Sequence, residues 1–432
     1  MASPAAASRG PVRGRRAAAA LGLPALGWVL YDLANTIFSY AVVTRYFNEW
    51  IIIEQGRPDV YVGLMSLAVS VALVVSLPFV GALADASGRR MPFLAGFTVA
   101  CVAATALLGL VEGVAAALVV GGVAIFFYNS ALAHYDPLLT AVAPPERRGL
   151  VSGLGVGTGY VGVLLALLVL GQLVPEGDNQ RAFLPTAALF LLLSVPCFLW
   201  VRDRHVRPPG DVRAPTPSPK SIVEELVTSV RRARSERHGR LLVARFFYVD
   251  AIATVIAYMT VYARRTGEFA GAEVELLLAS SVVFAVLGGV AAGALVERVG
   301  PKRVLTGTLV LVTATLLATG LSGWGPLLWV AGPAVGIGLG AVWTSDRVFL
   351  IRLCSEERRG EAFGLYALIG KASSGIGPLV LWGGAIYLLT EVTGLLDPFG
   401  ASRVALCLLS ASALLGLAIL RPLSDAETAV PP

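Results

Sequence analysis

The stretch YDLANTIFSY, residues 31–40, sets Asp32, Asn35 and Ser39 inside an otherwise apolar segment. Their i, i+3, i+7 spacing puts all three on one helical face, with Thr36 and Tyr40 beside it. Counted at about 1.5 Å per residue from a segment start near Ala25, Asp32 lies about 10 Å into a bilayer, too deep for a short side chain to reach the interface. A carboxylate there is costly to desolvate and needs a partner or a function. Lys371 sits at a comparable position far along the chain, about 15 Å deep, before a run of small residues, ASSGIG at 372–377, that lets helices approach closely. Asp250, and Asp346 with Arg347, are further charges in apolar surroundings. Two explanations of Asp32 stay open. One is a structural ion pair, with Lys371 held permanently by an aspartate. The other is a binding site in which Asp32 and Lys371 flank a cavity and take the ammonium and carboxylate of a small zwitterion, while Asp32 or Asp250 carries a coupling proton. Asn129 and Tyr128 are weaker cavity candidates; His134 and Asp136, nearer the end of the same segment, read as interfacial.

The elements that must position these groups follow from composition. The 432 residues are 56% hydrophobic and 14% charged, with a mean hydropathy of +0.75, outside the range of soluble domains. Apolar runs of roughly 20 residues, long enough to cross a hydrocarbon core as a helix, recur along the chain. They predict twelve spans centred near residues 38, 72, 102, 124, 161, 191, 252, 285, 312, 338, 375 and 410. The runs are solidly apolar rather than alternating, which selects helices over a barrel. The predicted fold class is therefore an all-α, twelve-helix membrane protein.

The net charge of +6 and pI near 9.3 reflect topology rather than nucleic-acid binding, because no folded basic domain remains to carry such a role. With the N-terminus inside, most of the 34 Lys and Arg fall on the cytoplasmic side, and the other side holds Arg57, Arg181, Arg264, Arg265 and Arg403. The positive-inside rule then places both termini in the cytoplasm of a multi-pass cytoplasmic (inner) membrane protein. Arg13, Arg15 and Arg16 read as anchors of a cytoplasmic tail rather than the start of a signal peptide. Cys101, Cys197, Cys354 and Cys407 show no pairing pattern and read as packing residues.

A polar stretch at 202–240 divides the chain. The expected organisation is a tail at 1–24, a six-helix bundle at 25–201, a cytoplasmic linker at 202–240, a second bundle at 241–421 and a tail at 422–432. The halves echo each other: GALADASGRR at 81–90 matches GALVERVGPK at 293–302, PERRGLVSGLG at 145–155 matches EERRGEAFGLY at 356–366, and Asp32, Thr36 and Tyr40 correspond to Asp250, Thr254 and Tyr258. Parallel six-helix repeats point to a rocking transporter with its site between the halves.

GALADASGRR closely resembles the signature loop of the major facilitator superfamily, departing at Ala86 where a basic residue is usual. YDLAN, APPERRGLVSGLG and FGLYALIGKASSGIGP resemble the vacuole-effluxer-like branch, named for a fungal vacuolar amino-acid exporter, with Leu33 where the branch usually carries Trp. The resemblance implies two pseudo-symmetric bundles working by alternating access. It also implies gating roles for Asp85, engaging the start of the eleventh span, and for Glu297, engaging the fifth, grouped with Arg89, Arg90, Arg147 and Arg358. The family's antiporter motif carries a proline absent from this fifth span, so the direction of transport stays open.

Other patterns carry no chemistry. GTGYVG at 157–162 fits a dinucleotide fingerprint but follows no strand, so its glycines read as close packing or a hinge. GLYALIGKA at 364–372 misses the phosphate-loop spacing and lacks Ser or Thr after the lysine. No HExxH occurs. The sequence therefore predicts no cofactor, no metal and no enzyme, but a monomeric secondary transporter of a small organic solute, amino-acid-like by resemblance, with a coupling proton and membrane lipid as partners. The alternatives are a multidrug or metabolite exporter and, from another class, a non-transporting sensor on the same fold.

Overall fold

In the computed structural model, residues 22–144, 147–202, 218–355 and 358–424 are described. The expected N-terminal tail up to residue 21, linker residues 203–217 and the last eight residues lie outside them.

Among the described residues, twelve helices are long and apolar enough to span a bilayer: span 1 Leu23–Glu54, span 2 Asp59–Ser87, span 3 Met91–Leu108, span 4 Val114–Val142, span 5 Arg148–Leu173, span 6 Asn179–Trp200, span 7 Arg237–Arg265, span 8 Gly271–Val299, span 9 Pro301–Ser322, span 10 Gly325–Leu353, span 11 Arg359–Val392 and span 12 Pro398–Leu420. Every predicted centre falls inside one of them. Helices form because lipid offers no partner to a free N–H or C=O, so each segment must satisfy its own backbone. Where the chain must turn sharply between spans 2 and 3, Gly88 adopts φ 65° and donates its N–H to the Asp85 carbonyl at 3.1 Å, a conformation cheap only for glycine.

Spans 1 and 11 are not uniform. Span 1 widens into π-helical turns at Ser39–Arg45 and Trp50–Glu54. Span 11 breaks at Ser374–Gly375 and continues as a π-helical stretch, Gly377–Gly384. Such departures from α geometry free or redirect backbone groups and concentrate at functional positions.

Spans 1–6 and 7–12 form the two pseudo-symmetric bundles, which meet where span 2 packs on span 11, span 5 on span 8 and span 1 on span 7. Hydrocarbon surroundings give helices no hydrophobic drive to associate, so close contact through small residues supplies the packing energy. In span 10, a Cβ on Gly340 would lie 2.0 Å from the Ala285 carbonyl oxygen of span 8. Between the halves, a Cβ on Gly375 would lie 2.7 Å from Leu67 Cα. In GTGYVG, Gly162 packs against the Leu33 carbonyl while Gly157 faces open space, so close packing holds for only part of that motif.

One further helix, Pro219–Ser235, belongs to the linker. Ser218 caps it by accepting the Ser221 N–H at 3.1 Å, the ordinary satisfaction of a free first-turn donor. It packs on spans 2, 7 and 11, and a single extended residue, Glu236, separates it from span 7.

These contacts set an expectation for substitution. Gly340→Leu should lower the melting temperature of the detergent-solubilised protein by several degrees, in line with about 1–3 kcal/mol for overpacking, whereas Gly157→Ala should leave it within about a degree. Intrinsic tryptophan fluorescence on heating reads both.

Candidate functional site

The two ends of the molecule differ in charge, and for that reason they are named by it: the basic face carries Arg89, Arg90, Lys302 and Arg303, and the opposite face carries Arg57 and Arg181. At the opposite face the bundles are locked together. Arg265 of span 7 donates to both carboxylate oxygens of Asp59 at 3.0 and 2.5 Å, and Trp382 Nε1 of span 11 donates to the same carboxylate at 2.8 Å. Arg264 reaches Glu49 of span 1 at 3.4 Å and Glu176 at 2.9 Å, with Arg45 completing the group on Glu49 at 2.6 Å. Asn48 donates to the Ala257 carbonyl at 2.7 Å. Asp59, Glu49 and Arg45 are buried, so these pairs are poorly screened and costly to break singly. Glu176 lies outside the spans; donation from Arg264 and the Gly271 N–H holds its carboxyl below the usual carboxylate range. Its share of the closure is therefore present at neutral pH and lost only as pH falls through that lowered value.

Between the halves lies a cavity of about 970 Å³, which extends toward the basic face: its lining reaches Gly153 near the start of span 5 and Val348 late in span 10. The wall from spans 1 and 5 presents Asp32, Asn35, Thr36, Ser39 and Tyr160. The wall from spans 7, 8, 10 and 11 presents Lys371 and Arg347 among Met259, Leu278 and Trp343. The Asp32 carboxylate rests against span 5, where a Cβ on Gly155 would sit 3.2 Å from its Oδ2. Among the described residues its side chain has no ion pair or hydrogen bond. Asn35 is buried with its Oδ1 unpartnered. Lys371 donates to Asn129 Oδ1 across the halves at 2.5 Å, and no aspartate among the described residues pairs with it. Arg347 is exposed to the cavity and unpaired among the described residues. The helical face predicted for span 1 and the opposed lysine are thus brought to one cavity.

Asp250 is placed apart from these groups. It lies outside the cavity lining, is 2% exposed, and accepts the Gly377 N–H at 2.8 Å. That bond supplies a partner to a backbone group freed where span 11 breaks, so Asp250 holds the broken helix. The Thr254 hydroxyl beside it leaves no space for a side chain at Gly377. Asp346 is likewise internal to its bundle: fully buried, it accepts from Arg245, from Tyr366 at 2.8 Å and from Tyr248 at 3.3 Å, with the Arg245 guanidinium 3.4 Å from the Tyr366 ring centroid. Arg245 carried no signal beyond its charge in an apolar segment. His134 is buried against Phe93 and Phe97, at ring distances of 5.3 and 5.7 Å. Asp136 is exposed near the end of span 4 and is not among the residues lining the cavity.

This architecture has clear relatives. The family model described as Major Facilitator Superfamily matches residues 25–378 and again 241–431. The chain belongs to the major facilitator superfamily. It is 28% identical over 381 residues to an uncharacterized MFS-type transporter of Bacillus subtilis, YxiO, covering 82% of this chain and 86% of the relative. It is 26% identical to a protein named multidrug resistance protein MdtG from Dickeya zeae, over 71% of this chain and 73% of that one. Among solved structures it is similar to the nucleoside transporter NupG, with a TM-score of 0.69, 14% identity, and coverage of 92% of this chain and 98% of that one. Membership makes the chain a membrane transporter rather than an enzyme.

In this superfamily member the signature loop is disengaged. Asp85 is exposed and paired with Arg90 of its own loop, and among the described residues it has no ion pair with the start of span 11. Glu297 is exposed and forms no ion pair with span 5 among the described residues. Arg89 is exposed as well, and Arg358 pairs with Glu236 at the end of the linker helix. Among the described residues Asp85 and Glu297 make no ion pair with spans 11 and 5, and the ion pairs that join the halves lie at the other end, through Arg264 and Arg265, which by sequence read only as topology markers. Their signal was available: two adjacent arginines at a span end on the side poor in cations.

Charge exchange tests the closure. In a cysteine-free background with Thr44→Cys, Asp59→Arg or Arg265→Asp alone should raise labelling by an impermeant thiol reagent added at the opposite face severalfold. The double exchange should return it toward the starting level.

Proposed function

We propose that the protein moves a small organic solute bearing both a cationic and an anionic group, amino-acid-like in charge layout, by alternating access with a proton as coupling ion. One observation carries this reading. Across a single cavity, one bundle offers a carboxylate without a partner among the described residues, Asp32, and the other offers two cations outside any ion pair there, Lys371 and Arg347. Charges at this depth are costly unless answered, and a zwitterion answers both walls at once. Asn35, Asn129 and the Ser39 hydroxyl would supply orienting hydrogen bonds. The motifs YDLAN and FGLYALIGKASSGIGP, with their vacuole-effluxer-like resemblance, favour an amino-acid-like solute.

The distribution of Lys and Arg supports a cytoplasmic (inner) membrane location with both termini and the basic face in the cytoplasm, which makes the present conformation open to the cytoplasm. In this scheme an ammonium or a proton neutralises Asp32, and the lysine leaves Asn129 for the solute's carboxylate. The cavity then loses its unpaired charges, so the basic face can close. Closure there would engage the Asp85 and Glu297 loops while the Asp59–Arg265 and Glu49–Arg264 pairs open. Each half supplies one wall, so a monomer suffices.

A second reading, export of apolar or cationic compounds, is favoured by the apolar lining around Met259, Leu278 and Trp343 and by the names of the MdtG relatives. Thermal stabilisation separates the two. A panel of amino acids, peptides, nucleosides and cationic drugs should contain a zwitterion that stabilises wild type, with apparent affinity weakened at least about tenfold in Asp32→Asn and in Lys371→Ala. Stabilisation of all three proteins equally by hydrophobic cations would overturn the zwitterion reading in favour of the second.

Proton coupling has its own readout. In proteoliposomes, uptake of that zwitterion by wild type should respond to an imposed pH gradient, whereas residual exchange by Asp32→Asn should not.

A further inference from the structure

We infer that the linker helix, Pro219–Ser235, forms a binding site for anionic lipid headgroups in the leaflet at the basic face. Its position follows from connectivity. The helix ends at Ser235, and span 7 begins at Arg237 after a single extended residue, so the helix cannot lie far from the membrane boundary. It also packs on spans 2, 7 and 11, which ties it to both bundles at that level.

The helix has two apolar stripes, and packing accounts for one of them. Ile222, Leu226, Ser229 and Ala233 lie on the side turned to the protein, with Ala233 buried. Val223, Val227 and Val230, spaced i, i+4, i+7 about a quarter turn away, remain 48%, 48% and 47% exposed. A valine stripe left against water is unfavourable, and its chemistry suits the headgroup–acyl boundary. Arg231 and Arg234 follow Val227 and Val230 by four residues and so extend the same side of the helix. Both are exposed, as is Arg240 at the start of span 7, and none of the three has an ion-pair partner among the described residues. Of the helix's own acids, Glu224 is within 3.8 Å of Lys220, and Glu225 lies on a different face from the valines. Apolar side chains bordered by unpaired arginines at the membrane level match a lipid with acyl chains and an anionic head.

The site is connected to the transport core. Arg358, at the start of span 11, pairs with Glu236 directly after the linker helix, and span 11 carries Lys371. Occupation of the helix by lipid would bias the position of span 11, whichever solute the cavity takes.

The test uses the purified full-length protein in detergent, titrated with a short-chain phosphatidylglycerol, with the matching phosphatidylcholine and with inorganic phosphate, reading melting temperature and lipid retained in native mass spectra. Phosphatidylglycerol should be retained and should stabilise at several-fold lower concentration than phosphatidylcholine. Replacing Arg231, Arg234 and Arg240 by Gln should weaken the phosphatidylglycerol effect by about fivefold or more per arginine. A second variant, with Val223, Val227 and Val230 replaced by Ser, should weaken retention while leaving the melting temperature without lipid unchanged. Equal retention of the two lipids, or wild-type phosphatidylglycerol affinity in the arginine variant, would overturn the proposal. Equal stabilisation by inorganic phosphate alone would overturn it too, by assigning the arginines to a free anion.

Discussion

The conformation rests on ion pairs that cross from one bundle to the other. Asp59 with Arg265, and Glu49 with Arg264, are held at the opposite face among buried side chains, where each charge is secure only while its partner is present. Because they join the halves at one end, the space between the bundles can open only at the other. The central cavity, the exposure of Arg347 and Asp136, and the disengaged signature loop are all consistent with that single constraint. Rigid bundles joined by a few strong contacts favour discrete states over gradual deformation.

The internal repeat shows how symmetry in sequence becomes asymmetry in chemistry. Asp32 and Asp250 occupy equivalent positions, each followed four residues later by a threonine whose hydroxyl donates to the aspartate carbonyl at 2.7 Å. Their carboxylates nevertheless differ. Asp250 is taken by the backbone of span 11, which breaks beside it, while the equivalent partner of Asp32, span 5, stays helical and presents only the hydrogen surface of Gly155 and Gly159. A helix break on one side of the pseudo-twofold therefore leaves one carboxylate bonded to backbone and the other on the cavity wall. Lys371 and Tyr160 stand in the same relation: matched by the repeat, they place a cation on one wall and a phenol on the other.

The linker helix extends this division of labour to the membrane surface. It touches both bundles, and directly after its C-terminus Glu236 meets Arg358 at the start of span 11, the helix that bears Lys371.

Sequence alone determined the fold class, the twelve spans, the two halves and the inward face of span 1, because lipid enforces helices of fixed length and penalises every buried charge; these are local properties written in hydropathy and spacing. It also singled out Asp32 and Lys371, since a charge at depth is conspicuous in an apolar run. Tertiary structure decided what each charge does. Asp250 and Asp32 look alike in sequence and differ only in whether a neighbouring helix breaks beside them. Arg264 and Arg265 read as topology markers until the two bundles bring Glu49, Glu176 and Asp59 to them. Arg245 and Asp346 are about a hundred residues apart, and nothing in their local spacing announces the pair. Partnership between distant side chains depends on how helices pack and on which end of the molecule is closed, which no local stretch of sequence specifies.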